Sequence, residues 1–322
     1  MPRAVVDALY ANMSLPVICS PMFIVSQPEL VIAQCLAGVV GSMPALNARP
    51  PGMLDQWLTQ IRTTLDAERA RQPHARIAPY AINQIVHASN DRLAEDMAVC
   101  ERHAVPLIIT SLRAPDEVVA SVHGWGGKVL HDVTTLRHAE KALAAGVDGL
   151  ILVAAGAGGH AGTLSPFALL AEIRRIYDGP VVLSGAISTG ADVLAARAMG
   201  ADFAYMGTRF IASTEAHAAQ QYKEMLVSSS AADILCTPYF TGIPGNYLRP
   251  SIVASGLDPD HLPAPQTPAA TFGSDRVKPW RDVWGAGQGV GSIDRIQPVA
   301  DIVADLRADY HRAKTVLSQE PF

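Results

Sequence analysis

Between Pro16 and Ser228 the chain repeats one unit eight times: a short apolar run, a Gly- or Ser-containing turn, then a helical pattern. The runs cover residues 16–22, 38–42, 77–83, 106–111, 128–133, 149–155, 180–186 and 203–208. The helical stretches cover 27–37, 51–72, 90–104, 115–124, 135–145, 166–177, 190–199 and 215–228. Strict strand–helix alternation forces parallel strands, because each helix must return the chain to the end where the next strand starts. Eight units are more than an open doubly wound sheet usually needs. The expectation is therefore the α/β class with closure into a (β/α)8 TIM barrel. Boundary chemistry agrees: Asn90 reads as an N-cap, Ser165 and Pro166 as a cap and first-turn proline, and Gly146 and Gly200 as helix stops. A composition of 49% hydrophobic and 17% charged residues suits strands buried on both faces.

After about residue 230 the pattern changes. Residues 236–282 are rich in Pro, Gly, Asn and aromatics without a sustained period, as expected of a lid over a site. The expected division is a barrel over 1–229, an irregular cap segment over 230–295 across the barrel mouth, and a C-terminal helix over 296–322 packing on the barrel.

The charge pattern narrows the function. A net charge of −5 with no basic stripe argues against nucleic acid and gives an anionic membrane nothing to hold. Cys19, Cys35, Cys100 and Cys236 are scattered, with no CxxC spacing, so neither a zinc site nor a disulfide framework is expected. The uncharged stretch 149–171 is broken by Gly, His and Pro and does not read as a membrane span. No basic start followed by an apolar core opens the chain, so a cytoplasmic location is the expectation. A homodimer is compatible with the sequence.

In a β/α barrel the chemistry sits on the loops after the strands' C-terminal ends. The seventh run ends in Ser184-Gly185-Ala186 and the eighth in Met206-Gly207-Thr208. Paired glycine tips let backbone N–H groups approach a phosphate, hydroxyls add donors, and a helix start after each tip adds partial positive charge. The sixth run is followed by Gly156-Ala157-Gly158-Gly159-His160. A G-x-G-x-x-A match there invites a Rossmann reading, which requires an acidic residue at the next strand tip; Ser184-Gly185-Ala186 has none. His160, flanked by small residues at a strand tip, can approach a flat ligand, and its ordinary pKa suits proton transfer near neutrality. Asn83 closes the third run with a carboxamide fit for a heterocycle edge. His131 and Asp132 alternate sides, so one faces the barrel mouth, and the pattern does not decide which.

Taken together, these residues resemble the nitronate monooxygenase family, formerly called 2-nitropropane dioxygenases, over almost the whole chain. The matching motifs are SPM at 20–22, AINQ around Asn83, HDVTTLRHAEKALAAGVDGLI at 131–151, AGAGGHAGTLSPFAL at 155–169, LSGAIS at 183–188, MGTRFIAS at 206–213, TGIPGNYLRPS at 241–251 and WGAGQGVG at 284–291. The resemblance implies non-covalent FMN, with Met22 and Asn83 against the ring system and Pro21, Phe23 and Asp132 among the cofactor-binding residues. It places Gly158, Gly159, Ser184, Gly185, Ala186, Met206, Gly207 and Thr208 along the phosphate arm, His160 as catalytic base, and no metal. The implied reaction converts an alkyl nitronate and O2 into a carbonyl compound and nitrite. Tyr247 and Gln288 are expected near the substrate pocket from their Gly-rich, irregular surroundings.

Two departures matter. Related quinone reductases carry lysine where this chain has Asp132, and many relatives carry Gly where it has Ala186. The alternative is NAD(P)H-dependent reduction of a quinone or enoyl acceptor on the same barrel. A flavin-binding protein without turnover leaves His160 without a purpose. An aldolase or isomerase would want lysine or carboxylates at the tips.

Overall fold

The computed structural model describes residues 3–262 and 280–319. The strands in chain order are β1 (Val17–Cys19), β2 (Gly41–Pro44), β3 (Tyr80–Val86), β4 (Leu107–Leu112), β5 (Lys128–Val133), β6 (Gly149–Val153), the two-residue β7 (Gly159–His160), β8 (Val181–Ser184), β9 (Phe203–Met206), β10 (Ile234–Thr237) and β11 (Gly245–Leu248). Eight of them run parallel in the order β1-β9-β8-β6-β5-β4-β3-β2. A bridge between Ile18 and Val40 joins the two ends. There Cys19 N–H donates to Val40 O at 2.8 Å and Val40 N–H to Val17 O at 3.1 Å, so the sheet closes into a (β/α)8 barrel. The second strand lies slightly later than its apolar run, at Gly41–Pro44 instead of 38–42. Close packing explains the shift: a Cβ on Gly41 would meet Val31 O at 2.5 Å, so only glycine lets the strand start against the preceding helix.

The helices are α1 (Arg3–Ala11), α2 (Pro28–Leu36), α3 (Met53–Arg71), α4 (Leu93–Arg102), α5 (Asp116–Gly124), α6 (Leu136–Ala144), α7 (Pro166–Arg174), α8 (Gly190–Ala198), α9 (Thr208–Ile211), α10 (Gln220–Val227), α11 (Arg249–Ala254) and α12 (Val299–Gln319). In α3 the buried residues Leu54, Leu58, Ile61 and Leu65 recur at helical spacing, turning one stripe to the strands. Gly146 and Gly200, with φ of +85° and +104°, let the chain leave α6 and α8 in the left-handed conformation. Asn90 acts one turn before α4 and does not cap it: its Oδ1 accepts from Arg92 N and its Nδ2 donates to Ile85 O at 2.9 Å.

The barrel is filled by Ile18, Val40, Ala81, Leu107, Ile109, Leu130, Ile151, Val182 and Phe203. Helix α1, absent from the sequence reading, adds Val6, Leu9 and Met13 to that cluster and sets Tyr10 at 5.1 Å from the Phe203 ring. Leu107 and Phe203 are strand-starting residues, so α1 plugs the end opposite the catalytic loops. Only the C-terminal end remains available for a ligand.

At that end β10 pairs antiparallel with β11, and β11 with β7, setting Gly245 opposite His160 and Asn246 opposite Gly159. Part of the region expected to be irregular is thus a small sheet whose four-residue strands are too short to reveal a period. Residues 263–279 of that expected lid lie outside the described residues. Helix α12 packs along α8 and α2. Among the described residues no helix is long and apolar enough to cross a membrane.

Candidate active site

A cavity of about 720 Å3 opens at the C-terminal ends of the strands. That volume lies within the range of small-molecule and cofactor sites. Its wall brings together Pro21, Met22 and Phe23 after β1, Asn83 in β3, Asp132 in β5, and Gly158, Gly159 and His160 after β6. Ser184, Gly185 and Ala186 at the tip of β8 and Gly207 and Thr208 after β9 complete it. Three expected residues do not line it. Met206 faces outward among Val17, Cys19 and Phe210, as strand alternation requires once Tyr205 faces in. Tyr247 is fully buried with Phe240, Ile252 and Val283 in the core behind the small sheet. Gln288 is exposed, although its backbone N–H donates to Gly156 O at 2.9 Å.

One end of the cavity is built from backbone. Gly185 has φ of +123°, and a Cβ there would lie 2.6 Å from Ala155 O. A Cβ on Gly207 would lie 3.2 Å from Ser20 Cβ and 3.5 Å from Met22 Sδ. The loop 284–291 crosses this end with glycine against glycine: a Cβ on Gly158 would meet Gly287 N at 2.8 Å, and one on Gly287 would meet Gly156 O at 2.8 Å. Gly287 N–H donates to Thr208 Oγ1 at 2.9 Å. The helix α8 dipole is not free for a ligand, contrary to expectation. Thr189 caps that helix by accepting from Asp192 N–H at 3.1 Å, and Asp192 completes the capping box by accepting from the N–H groups of Ser188 and Thr189, both at 2.9 Å. What this end offers is therefore close backbone approach and hydroxyls, beginning with Gly207 and Thr208, where α9 starts directly at the strand tip.

The facing end is built from side chains. Asn83 Nδ2 donates to Ile109 O at 3.2 Å and to Ser111 Oγ at 2.9 Å. Only the amide nitrogen can serve a carbonyl acceptor, so Oδ1 is the atom left for the cavity. Ser111 Oγ in turn donates to Asp132 Oδ2 at 2.6 Å. Among the described residues Asp132 Oδ1 is buried without a hydrogen-bond partner, and the Tyr205 hydroxyl is buried beside Ser20. Burial raises the Asp132 pKa to about 6. His131 points away from the cavity: it is buried with Nδ1 at 2.8 Å from Thr110 Oγ1, and burial lowers its pKa to about 4. The ambiguity between the two resolves to Asp132. Ser111, which the sequence reading passed over, closes its apolar run as Asn83 closes the third, and that parallel was the available signal.

His160 stands at the rim, accessible from the cavity yet ringed by protein that lowers its pKa. Its Nε2 is 2.8 Å from Thr241 Oγ1, and its ring meets Trp280 edge-on at 5.4 Å. Thr241 Oγ1 also donates to Ile243 O at 3.1 Å. A hydroxyl has one proton; once Ile243 O holds it, the oxygen accepts from Nε2–H, and Nδ1 carries the lone pair. Neither Thr241 nor Trp280 is identifiable as a His160 partner from local sequence, since each lies more than eighty positions along the chain. Asn246 Nδ2 steadies the same loop by donating to Ala157 O at 2.6 Å.

A flavin tests this arrangement well. Its phosphate needs a cradle without side chains, which Gly185 and Gly207 provide, and its heterocycle presents polar edges, for which Asp132 Oδ1 lacks a partner among the described residues and Asn83 Oδ1 is left by the bonds of its own Nδ2.

The chain is similar to known proteins over almost its full length. A nitronate monooxygenase from Paraburkholderia phytofirmans is 27% identical, with 94% of each chain aligned. Among solved structures, FabK from Thermotoga maritima superimposes with a TM-score of 0.78 at 25% identity, covering 98% of both chains. Nitroalkane oxidase from Streptomyces ansochromogenes follows with a TM-score of 0.74 at 27% identity, covering 96% of this chain and 99% of that one. The family model described as nitronate monooxygenase matches residues 8–309, a span that takes in every strand tip of the cavity, His160 and the glycine loop 284–291. This chain is an enzyme of the nitronate monooxygenase family.

Proposed function

We propose that this enzyme oxidises alkyl nitronates, and the nitroalkanes from which they form, consuming O2 and giving a carbonyl compound and nitrite with FMN as cofactor. The observation that carries the reading is His160: a rim histidine whose Nε2 lies 2.8 Å from Thr241 Oγ1 and whose Nδ1 has no hydrogen-bond partner among the described residues. The backbone and hydroxyls of Ser184, Gly185, Ala186, Gly207 and Thr208 would hold the FMN phosphate, with Gly158 and Gly159 along the arm. Met22, Asn83 and Asp132 would hold the ring system. When bound, FMN supplies the electron acceptor that the substrate reduces and O2 restores.

His160 Nδ1 takes the proton from the carbon bearing the nitro group, leaving the nitronate anion and an imidazolium beside it. The lowered pKa keeps more of the ring neutral, so the base form persists to lower pH than for a solvated histidine. A nitronate supplied as such needs no proton removed, and there the ring positions the anion. Among the described residues lining the cavity there is no lysine or arginine, so none of these offers a cation to the diphosphate of a nicotinamide dinucleotide. That favours a small donor over NAD(P)H.

The test is anaerobic mixing of the purified, FMN-loaded enzyme with propyl-1-nitronate and, in parallel, with NADH and NADPH. Loss of flavin absorbance with the nitronate alone is expected; reduction by NAD(P)H alone, or a protein that retains no FMN, overturns the reading. His160→Asn is expected to keep the cofactor and to lose about 10²–10⁴-fold on neutral nitroalkanes, with a smaller loss on preformed nitronates.

A further inference from the structure

The outer part of the cavity carries an apolar rim that the folded protein does not use for its own stability. Phe23, Leu112 and Ile243 line the cavity and remain 43%, 55% and 45% exposed. Leu46 and Ile85, half-buried, line it as well. Among the described residues none of the five belongs to a packed hydrophobic cluster. Large apolar side chains so placed lose contact with neighbours and order water around them.

Leu112 adds a second cost. Its φ is +82°, the left-handed region that a residue with a Cβ rarely adopts. Glycine at this position would relieve the backbone and remove the exposed side chain together. An exposed leucine in a strained conformation at the end of β4, on the wall of the cavity, is the pattern of a residue held for a ligand.

Polarity is graded along the cavity. One wall carries Asp132 and the Asn83–Ser111 pair, and Thr241 ties His160 to the loop that bears Ile243. The rim holds three exposed aliphatic or aromatic side chains beside two histidines, His160 and His138, the latter with Nδ1 already 3.0 Å from Thr134 Oγ1. A ligand matching this grading has a small polar head at His160 and an aliphatic tail pointing outward.

We propose that Phe23, Leu112 and Ile243 form an alkyl-binding rim that selects nitronates with extended aliphatic tails of several carbons over the shortest members of the series. This rests on the nitronate reading for the head group, while the rim itself is tested independently of turnover.

The experiment has two arms on the purified holoenzyme. Isothermal titration calorimetry with acetate, butyrate and hexanoate, which share the planar anionic head, measures tail binding without chemistry. Steady-state kinetics with ethyl, butyl and hexyl nitronates measures kcat/KM along the same series. Affinity and kcat/KM are expected to rise about fourfold per methylene that the rim covers. In Leu112→Gly the hexyl-to-ethyl ratio is expected to fall roughly tenfold, with Tm unchanged or raised, because the backbone strain goes with the side chain. Ile243→Ser, with no strain at its backbone, is expected to lower the same ratio and serves as the second variant. Carboxylate binding that ignores chain length overturns the rim, whatever the nitronates do. A chain-length slope that survives in both variants overturns its assignment to these residues. Chain-length-dependent carboxylate binding without nitronate turnover supports the rim and overturns the functional reading alone.

Discussion

The two ends of the cavity recognise a ligand by different means. At the tips of β8 and β9 the wall is backbone: Gly185, Gly207 and the glycine-on-glycine contact of Gly158 with Gly287. At the tips of β3, β4 and β5 the wall is a chain of side chains, Asn83 to Ser111 to Asp132, ending in a carboxyl oxygen with no hydrogen-bond partner among the described residues. At the first end an added Cβ would collide with backbone at Gly158 and Gly185, and no ionised side chain takes part. The second tolerates substitution but changes its charge with pH. Shape is fixed at one end and chemistry is tuned at the other.

Gly185→Ala attacks the backbone end and carries the largest expected effect. The new Cβ must occupy a point 2.6 Å from Ala155 O at a φ of +123°, and the atom it meets belongs to the backbone. A stability loss of roughly 2–4 kcal/mol is expected from strain and displacement together. FMN affinity is expected to fall roughly a hundredfold or more, equivalent to about 2.8 kcal/mol. Ser111→Ala at the other end removes two hydrogen bonds, the one from Asn83 and the one to Asp132, and is expected to weaken FMN only about tenfold. Fluorescence titration of apoprotein with FMN measures both. Equal losses in the two variants would erase the distinction between the ends.

The same contrast explains what was legible in the sequence. Glycine at a strand tip reads directly, because the absence of a side chain has the same meaning in any orientation. Eight strand–helix units read directly as well, since apolar runs buried on both faces leave a strong signal. Side-chain orientation does not read: His131 and Asp132 occupy adjacent positions, and only the pleat of β5 decides that Asp132 faces the cavity. Tyr247 shows the same limit, for its irregular surroundings suggested the pocket whereas β11 turns its ring into a core with Phe240 and Val283. The glycines of 284–291 were visible, but their reason was not. They let one loop lie on another, which depends on contacts more than a hundred residues apart in the chain.

The side-chain end should also govern how stability responds to acid, through two opposed groups. Asp132 keeps its proton up to about pH 6 when folded, against an ordinary value of 3.8. Between those values the unfolded chain has released a proton that the native state still holds, so stability falls as pH rises, by about 3 kcal/mol in all. His131 runs the other way, from 6.5 down to about 4, so its burial costs stability as pH falls through that window, by about 3 kcal/mol. In the apoprotein the two slopes oppose each other and largely cancel between about pH 4 and pH 6. Asp132→Asn is expected to unmask the histidine, giving stability that rises with pH across this range, and His131→Gln to unmask the carboxyl, giving the reverse. Urea unfolding along a pH series reads both. Parallel curves for the two variants would show that neither group titrates as its burial implies, and a slope change in Gly185→Ala would show that the backbone end is not electrostatically silent.

The smallest expected effect concerns Thr241, which belongs to neither end and decides how His160 meets the ligand between them. When its hydroxyl proton goes to Ile243 O, its oxygen accepts Nε2–H and the Nδ1 lone pair is left open. Thr241→Val keeps the shape but removes the acceptor, letting the ring exchange tautomers. A mixed population and a looser ring are expected to lower kcat/KM on neutral nitroalkanes about tenfold, about 1.4 kcal/mol, with a smaller loss on preformed nitronates. Thr241→Ser retains the hydroxyl and should recover most of the loss. A packing role alone would not alter the tautomer, so the deciding measurement is the 15N spectrum of histidine-labelled enzyme. The wild type should show the lone-pair shift at Nδ1 of His160, and Thr241→Val a shift averaged between the two nitrogens. A proton on Nδ1 in the wild type would make His160 a donor to the bound anion in place of a base at carbon, and the order of proton and electron transfer would have to be rebuilt from that fact.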